Sequence, residues 1–494
     1  MSKYKLEDIT IGYNDGKKEA EYISNFHKYY YNYNNIYESI LKKEKFLLLG
    51  RKGTGKSFLA EYIQKKAEFK ENNYVKISDF KELKLKEFIY FKSEETSPNE
   101  FIAIWEWLIL IEIALMIIEK EPIRFDFKFQ IKLSKLKRFI KSNFKNLKLN
   151  TNDIVKTTKK ASFKGGIFNS LTGSASISDE SNKGSYLNYI NDLKEVIFYL
   201  LKKSNMEYTL ILDELDDKFK NDKNYKNIII SAIKIVDKLN MNFSKNKLKI
   251  KVIILLRSDI FSILNDSNLN KIKQDNSIEI EWGTSSRIRK YEPLMKMITN
   301  RIKNSIPELA KVAHNDIYDM FFKEKIQVGY NNGLSPEIFL LQRSFFRPRD
   351  IITYLKFIKE KYPNGHHFRN DYIIDLEIKY SEYFLDELRN ELKGHLKDRE
   401  IEEGFSLLRQ FHKKHFSYEE IKQYYQKNKE RYASLNLDLI LKTFFKFGAI
   451  GNSWYVKGKD KYKYCYSYID KRAEIDFSKD FTLHMGLNKV LKLD

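Results

Sequence analysis

Residues 46–63 read "FLLLGRKGTGKSFLAEYI", and this run decides the fold. Phe46 to Leu49 form a short apolar run of the kind that makes a buried strand. A glycine-containing loop follows, closing on Gly55-Lys56-Ser57, and then an amphipathic stretch that predicts a helix from Ser57 to about Phe69. Gly50 to Ser57 fit G-x-x-x-x-G-K-[ST] in full, with strand before and helix behind. In such a loop the backbone N–H groups of Gly50, Gly53, Thr54, Gly55 and the residues up to Phe58 can wrap phosphate oxygens. The helix N-terminus adds positive potential. Lys56 would reach the β- and γ-phosphates, and the Ser57 hydroxyl would hold Mg²⁺.

A second requirement is a carboxylate at the end of a neighbouring buried strand. "YTLILDELDD" (208–217) supplies it: Asp213 is the expected Mg²⁺ residue and Glu214 the group that polarises the attacking water. Asp216 and Asp217 read as helix-entry acids. A third element, "VIILLRSDIF" (252–261), puts Arg257 at the carboxyl edge of an apolar strand, where ligands of doubly wound sheets bind. Arg257 would contact the γ-phosphate, or else form an ion pair with Glu214 or Asp216. A fourth, "SFFRPRD" (344–350), flanks a helix start at Pro348 with Arg347 and Arg349. Either could meet nucleotide, and ordinary helix-entry pairing accounts for each equally well.

Outward from these motifs, strands alternate with helices. "YVKISDF" (74–80) and "SIEIEW" (277–282) are further expected strands, and "NIIISAIKIVDKL" an intervening helix. The pattern predicts a three-layer α/β P-loop core with a parallel sheet. Expected domains are an ATPase core over 1–285, a helical lid over 286–400 and a winged-helix-like domain over 401–494. Lys56 and Asp213 are 157 residues apart, so a largely helical insertion at about 95–190 is expected. Within it "KASFKGGIFNSLTGSASISDESNKGS" reads as a loop or weak hairpin.

Net charge is +22, and residues 124–164 concentrate it, with thirteen Lys/Arg against two Asp. DNA or RNA is an expected partner of that segment, with a solvated helix face as the bland alternative. The Lys, Asn, Ile, Tyr and Phe bias that AT-rich coding imposes explains surface lysine equally well. One cysteine, Cys465, excludes an internal disulfide framework and a thiolate zinc cluster. "FIAIWEWLILIEIALMII" (101–118) is the most membrane-like stretch, but Glu106 and Glu112 interrupt it and a buried helix is the better reading. No apolar leader opens the chain, so a cytoplasmic protein without a membrane partner is expected.

Near the C-terminus, "SYEEIKQYY" opens with a capping box, Ser417 and Glu420. "LDLILKTFFKFG" closes on Gly448, and "SWYVKGKDKYKYCYSY" alternates as a hairpin should. Helix, helix, hairpin is the winged-helix order. Its wing lysines, Lys457, Lys459, Lys461 and Lys463, suit nucleic-acid phosphates, while a protein-contact role stays open. Arg409 and His415 match the R-x(4–6)-H spacing of HEPN ribonucleases, a weak pattern in a segment that reads better as the approach to the winged helix.

With these elements in place, the chain resembles the AAA+/STAND side of the P-loop NTPases, and among them bacterial ATPases of which some sit in anti-phage defence loci. The landmarks are "GRKGTGKS", "LDELDD", "LLRSDIF", Trp282, "FFRPRD" and "FTLHMGLNKVL". The resemblance implies ATP and Mg²⁺ as cofactors, "RSD" in place of the sensor arginine, and "RPRD" at the lid position. It also implies a partner effector encoded nearby and admits a homo-oligomer. No arginine lies between Arg257 and Arg287, where a trans-acting finger is usual. Lys271 or Lys273 would have to substitute, so a nucleotide-gated switch fits better than a motor. The competing readings are a scaffold that holds nucleotide without hydrolysing it and an ATP-regulated ribonuclease.

Overall fold

The structure, a computed structural model, describes residues 4–80, 98–122, 125–144, 154, 163–164, 183–184, 186–216, 222–283, 293–327, 333–459 and 461–493. The chain divides into two compact units. One comprises Asn34–Arg51 and Lys56–Ile280; the other comprises Met1–Tyr33, Lys52–Gly55 and Glu281–Asp494.

The first unit is built on a parallel five-stranded sheet. Its elements in chain order are β1 (Leu47–Gly50), α1 (Lys56–Glu68), β2 (Asn73–Asp79), α2 (Pro98–Lys120), α3 (Phe127–Phe144), α4 (Ile190–Lys203), β3 (Glu207–Asp213), α5 (Lys223–Lys245), β4 (Ile250–Arg257) and β5 (Ser277–Ile280). The strand order is β2-β3-β4-β1-β5. Crossing from β1 out to β2 and then stepping back through β3 and β4 reverses direction across the sheet. Right-handed crossovers therefore put α1 on one face and α5 on the other. Strands covered on both faces should be apolar throughout, and β1 is buried along its whole length. The sheet is the expected three-layer α/β core.

Register brings the motif ends together. Gly50 lies opposite Arg257 on one side of β1 and opposite Ile280 on the other, while Asp79 lies opposite Asp213. All these residues occupy the carboxyl edge of the sheet, next to the point where strand order reverses, which is where open α/β sheets bind ligands.

α2 is the apolar helix, and it is part of the core. Trp105 donates its indole N–H to the carbonyl of Ile228 in α5 at 2.9 Å. The two acids that interrupt it are paired, Glu112 with Lys76 of β2 at 2.8 Å and Glu106 with Lys194 of α4 at 2.7 Å. Phe101–Lys120 is long and apolar enough to cross a membrane, yet 83% of its apolar window is buried inside the fold. α3 buries Phe129, Leu133, Leu136, Phe139, Ile140 and Phe144 and turns Lys128, Lys137, Arg138 and Lys141 outward. The expected weak hairpin appears as a two-residue antiparallel ladder, Phe163–Lys164 with Lys183–Gly184.

The second unit continues with α6 (Pro293–Ser305), α7 (His314–Phe321), α8 (Pro336–Gln342), α9 (Pro348–Lys361), α10 (Glu377–Leu392) and α11 (Asp398–Phe411). Next come β6 (His415–Phe416), α12 (Tyr418–Lys427), α13 (Leu437–Phe447), β7 (Ile450–Val456), β8 (Lys461–Cys465) and β9 (Asp480–Leu483). The capping box forms as read: Ser417 Oγ accepts from Glu420 N at 3.3 Å, and Glu420 accepts from Ser417 N at 2.7 Å. Gly448 ends α13 at φ +82°, a conformation that glycine adopts without strain. β7 and β8 form the expected hairpin, in a sheet of order β8-β7-β9-β6. Ahead of β1 the chain forms a short helix, Gly16–Tyr22, and a series of tight turns before a second short helix, Ile36–Leu41.

Candidate phosphate-binding site

The loop between β1 and α1 turns on two glycines. Gly53 and Gly55 adopt φ of +81° and +95°, a region that a residue with a Cβ enters only at a cost. At Gly53 space matters too, because a Cβ there would sit 3.1 Å from Cβ of Arg349. Ser57 and Phe58 follow in the first turn of α1, half-buried.

The Lys56 ammonium folds over the loop and donates to the carbonyls of Gly50 at 2.8 Å and Arg51 at 3.2 Å. Burial pushes its pKa down, and the fields of Asp216, Asp213 and Asp259 oppose that shift while Arg257 adds to it. These five ionisable groups therefore share one locality at the carboxyl edge of the sheet. Asp213 is 3% exposed at the very end of β3, and one of its carboxylate oxygens accepts the N–H of Glu214 at 2.8 Å. Glu214 sits at φ +60°, unusual for a residue with a long side chain. Strain of that kind costs on the order of 1 kcal/mol and collects at functional sites.

Asp216 corrects the sequence reading. It is no helix-entry acid: α5 begins only at Lys223, and Asp222 caps it by accepting from Tyr225 N at 2.8 Å. Asp216 instead accepts the backbone N–H of Arg257 at 2.6 Å, tying the end of β3 to the end of β4. Burial raises its carboxyl pKa, while Lys56, Arg257 and the backbone hydrogen bond pull it back. Asp217 lies outside the described residues. The Arg257 guanidinium forms a fork with Asp259, Nε to Oδ1 at 3.1 Å and Nη2 to Oδ2 at 2.6 Å. Asp259 was not anticipated, although its position two residues along in "RSD" is the signal.

In the second unit three successive carbonyls of the loop are each held by a donor. Arg347 Nη1 reaches Lys52 O at 3.1 Å, Arg349 N reaches Gly53 O at 3.3 Å, and Trp282 Nε1 reaches Thr54 O at 2.9 Å. Arg347 is 1% exposed, forked onto Asp350 at 3.0 and 2.9 Å, and paired with Glu391. The Arg349 side chain bonds Asn14 O at 3.0 Å and Glu387 at 3.1 Å. Each arginine was expected either to meet nucleotide or to pair at the helix entry. In this arrangement they hold the loop backbone through its outward carbonyls, because their guanidinium groups are engaged by buried or half-buried acids. Trp282 stacks on Tyr33 with ring centroids 5.5 Å apart, which fixes its indole edge toward Thr54.

Residues 292–389 match the family described as FunZ-associated C-terminal helical domain. This span runs from the start of α6 through most of α10. No curated protein matches the sequence. Similar solved structures include the Orc1 protein of Aeropyrum pernix in complex with DNA, at 11% identity over 93% of this chain and 91% of that one, with a TM-score of 0.33. Another is Cdc6p from Pyrobaculum aerophilum, at 11% identity over 91% and 86%, with a TM-score of 0.29. Likeness at that level does not bear on what this chain binds.

The remaining sequence candidates are dispersed. Arg409 is exposed in the last turn of α11 and His415 lies in β6, paired with Thr482. Among the described residues no hydrogen bond or ion pair joins them. Lys271 and Lys273 are exposed on the short helix Leu269–Asn276. Lys457 and Lys459 lie in the hairpin turn and Lys461 on β8. Among the described residues no group of three His, Cys, Asp or Glu could by itself hold a metal ion.

Proposed function

We propose that this chain binds ATP with Mg²⁺ on the loop Gly50–Ser57 and acts as an ATPase or ATP-gated switch. The observation that carries the reading is the gathering of Lys56, Asp213, Asp216 and Arg257 beside a glycine-shaped loop at the carboxyl edge of a parallel sheet. Backbone N–H groups of Gly53 to Phe58 cradle the phosphates, and phosphate oxygens replace the Gly50 and Arg51 carbonyls as acceptors for Lys56. Ser57 and Asp213 are hard oxygen donors of the kind Mg²⁺ prefers, and buried Asp213 stands close enough to Lys56 to influence its charge. Bound there, Mg²⁺ supplies charge neutralisation at the β- and γ-phosphates. Glu214 orients and deprotonates the attacking water.

On this reading the switch senses nucleic acid or a phage component and controls a partner effector. The exposed lysines of α3 and of the β7–β8 hairpin, with the +22 net charge, support a polyanion partner. The winged-helix reading of residues 401–494 draws on the helix, helix, hairpin order, and the effector and the defence role draw on the motif resemblance. A second reading, a scaffold that holds nucleotide without turnover, draws on the engagement of Arg257 by Asp259.

Titration of the purified chain with ATP, paired with turnover assays with and without DNA or RNA, tests both readings. Lys56→Ala is expected to abolish ATP binding, and unchanged affinity would sink the proposal. Wild-type turnover that Glu214→Gln stops favours the ATPase; equal, negligible turnover in both favours the scaffold.

A further inference from the structure

The outward face of the β7–β8 hairpin carries aromatic rings where small antiparallel sheets ordinarily carry polar side chains. Tyr455 lies directly opposite Tyr462, and Ser453 opposite Tyr464, so all three tyrosines project from one face. They are 46%, 58% and 51% exposed. Tyr455 and Tyr462 meet edge to face at 5.4 Å, and Tyr464 leans toward the His415 ring at 6.3 Å. Lys457, exposed in the turn, and Lys461 and Lys463, exposed on the opposite face of β8, make the hairpin as a whole positive. Among the described residues, the acid that the register puts on this face is Asp480, opposite Ser453. β8 is an edge strand, so the approach is open.

We infer that this face is a stacking platform for single-stranded nucleic acid, with bases on Tyr455, Tyr462 and Tyr464 and the phosphates drawn by the positive field of the hairpin that Lys457, Lys461 and Lys463 create. The inference rests on the nucleic-acid part of the proposed function and names the form of the polymer. Duplex bases are stacked on one another and cannot offer their faces to rings, whereas unpaired bases can. Tyr462 and Tyr464 are two residues apart on one strand, about 7 Å, which leaves room for one base on each. An added protein strand is disfavoured, because lysines on an edge strand discourage pairing.

Fluorescence anisotropy of the full-length chain with labelled oligo(dT), oligo(U) and a duplex of equal length tests this. Both single strands are expected to bind more tightly than the duplex, and the better of the two identifies the source as DNA or RNA. Tyr462→Ala and Tyr464→Ala should each weaken single-strand binding on the order of 5- to 100-fold. Tyr462→Phe and Tyr464→Phe, which keep the ring, should stay near wild type. Lys461→Ala with Lys463→Ala should weaken binding and flatten its salt dependence. Equal binding of duplex and single strand overturns the platform, as does unchanged binding by the alanine variants. If the lysine variant loses affinity while the tyrosine variants keep it, stacking fails and the nucleic-acid reading survives. A wild-type chain that retains no oligonucleotide overturns both.

Discussion

The indole N–H of Trp282 donates to the carbonyl of Thr54, one residue before the second positive-φ glycine of the phosphate loop. With Lys52 and Gly53 held by Arg347 and Arg349, three consecutive peptide planes are oriented from outside. A carbonyl turned outward aims the next N–H the other way, so these three groups help set which donors would face an anion. Trp282→Phe keeps an aromatic ring beside Tyr33 and removes only the donor. Loss of such a bond costs roughly 1–3 kcal/mol of stability, so the melting temperature should fall by several degrees, and ATP affinity measured by calorimetry should fall on the order of 10-fold.

Arg347 is the most enclosed cation of the second unit, with Asp350 and Glu391 both buried beside it. Removing one partner from a buried ion group leaves uncompensated charge and typically costs about 3–5 kcal/mol. Arg347→Met should therefore lower the melting temperature by many degrees. Arg347→Lys should fail to restore it, because an ammonium cannot reproduce the fork onto Asp350. Full rescue by lysine would refute this account.

Glu214 combines a strained backbone with the expected catalytic carboxylate. Glu214→Gly relieves the strain, so thermal stability should hold within about 1 kcal/mol of wild type. Glu214→Val puts a β-branched residue at the same φ and should destabilise by more than that. Both should stop ATP turnover. A valine variant as stable as the glycine variant would argue against strain here.

Lys251 gives a pH dependence. Its ammonium donates to the carbonyls of Ile40 and Lys42, both at 2.5 Å, and burial pushes its pKa down from 10.5 to about 7, with Glu44 opposing. The folded state thus binds fewer protons than the unfolded chain between these values, and stability rises as pH climbs from about 7 toward 10.5. Below pH 7 this contribution is lost. Lys251→Met should flatten that part of a chemical-denaturation series taken at stepped pH, whereas an unchanged slope would assign the effect elsewhere.

The parts of this architecture that could be read from the chain are those whose chemistry is local. "GRKGTGKS" specifies its own turn, because Gly53 and Gly55 supply the positive φ values the loop needs. Asp213 was legible because an acid ending an apolar strand is costly without a cation nearby. Asp216 was misassigned because its partner, the Arg257 N–H, is 41 residues away and only strand pairing brings the two together. The arginines of "FFRPRD" stayed open between nucleotide and helix-entry pairing for a related reason. Nothing near them in sequence announces Glu391 or Glu387, which arrive on α10. Trp282 was noticed only as a landmark, since a carbonyl's partner leaves no mark in composition.

α2 has a consequence for how the chain is made. Its helical partner α5 comes off the ribosome more than a hundred residues later, and Lys194, the partner of Glu106, 88 residues after that acid. At typical synthesis rates residues 121–245 take roughly 6 to 25 s to appear. For that interval a segment greasy enough for a bilayer has no core to enter, so α2 is the part of the nascent chain most in need of a chaperone. An acidic side chain at membrane depth costs about 2.5–3.5 kcal/mol. Glu106 and Glu112, which only seem to spoil the helix, are what bias a half-made chain away from the lipid.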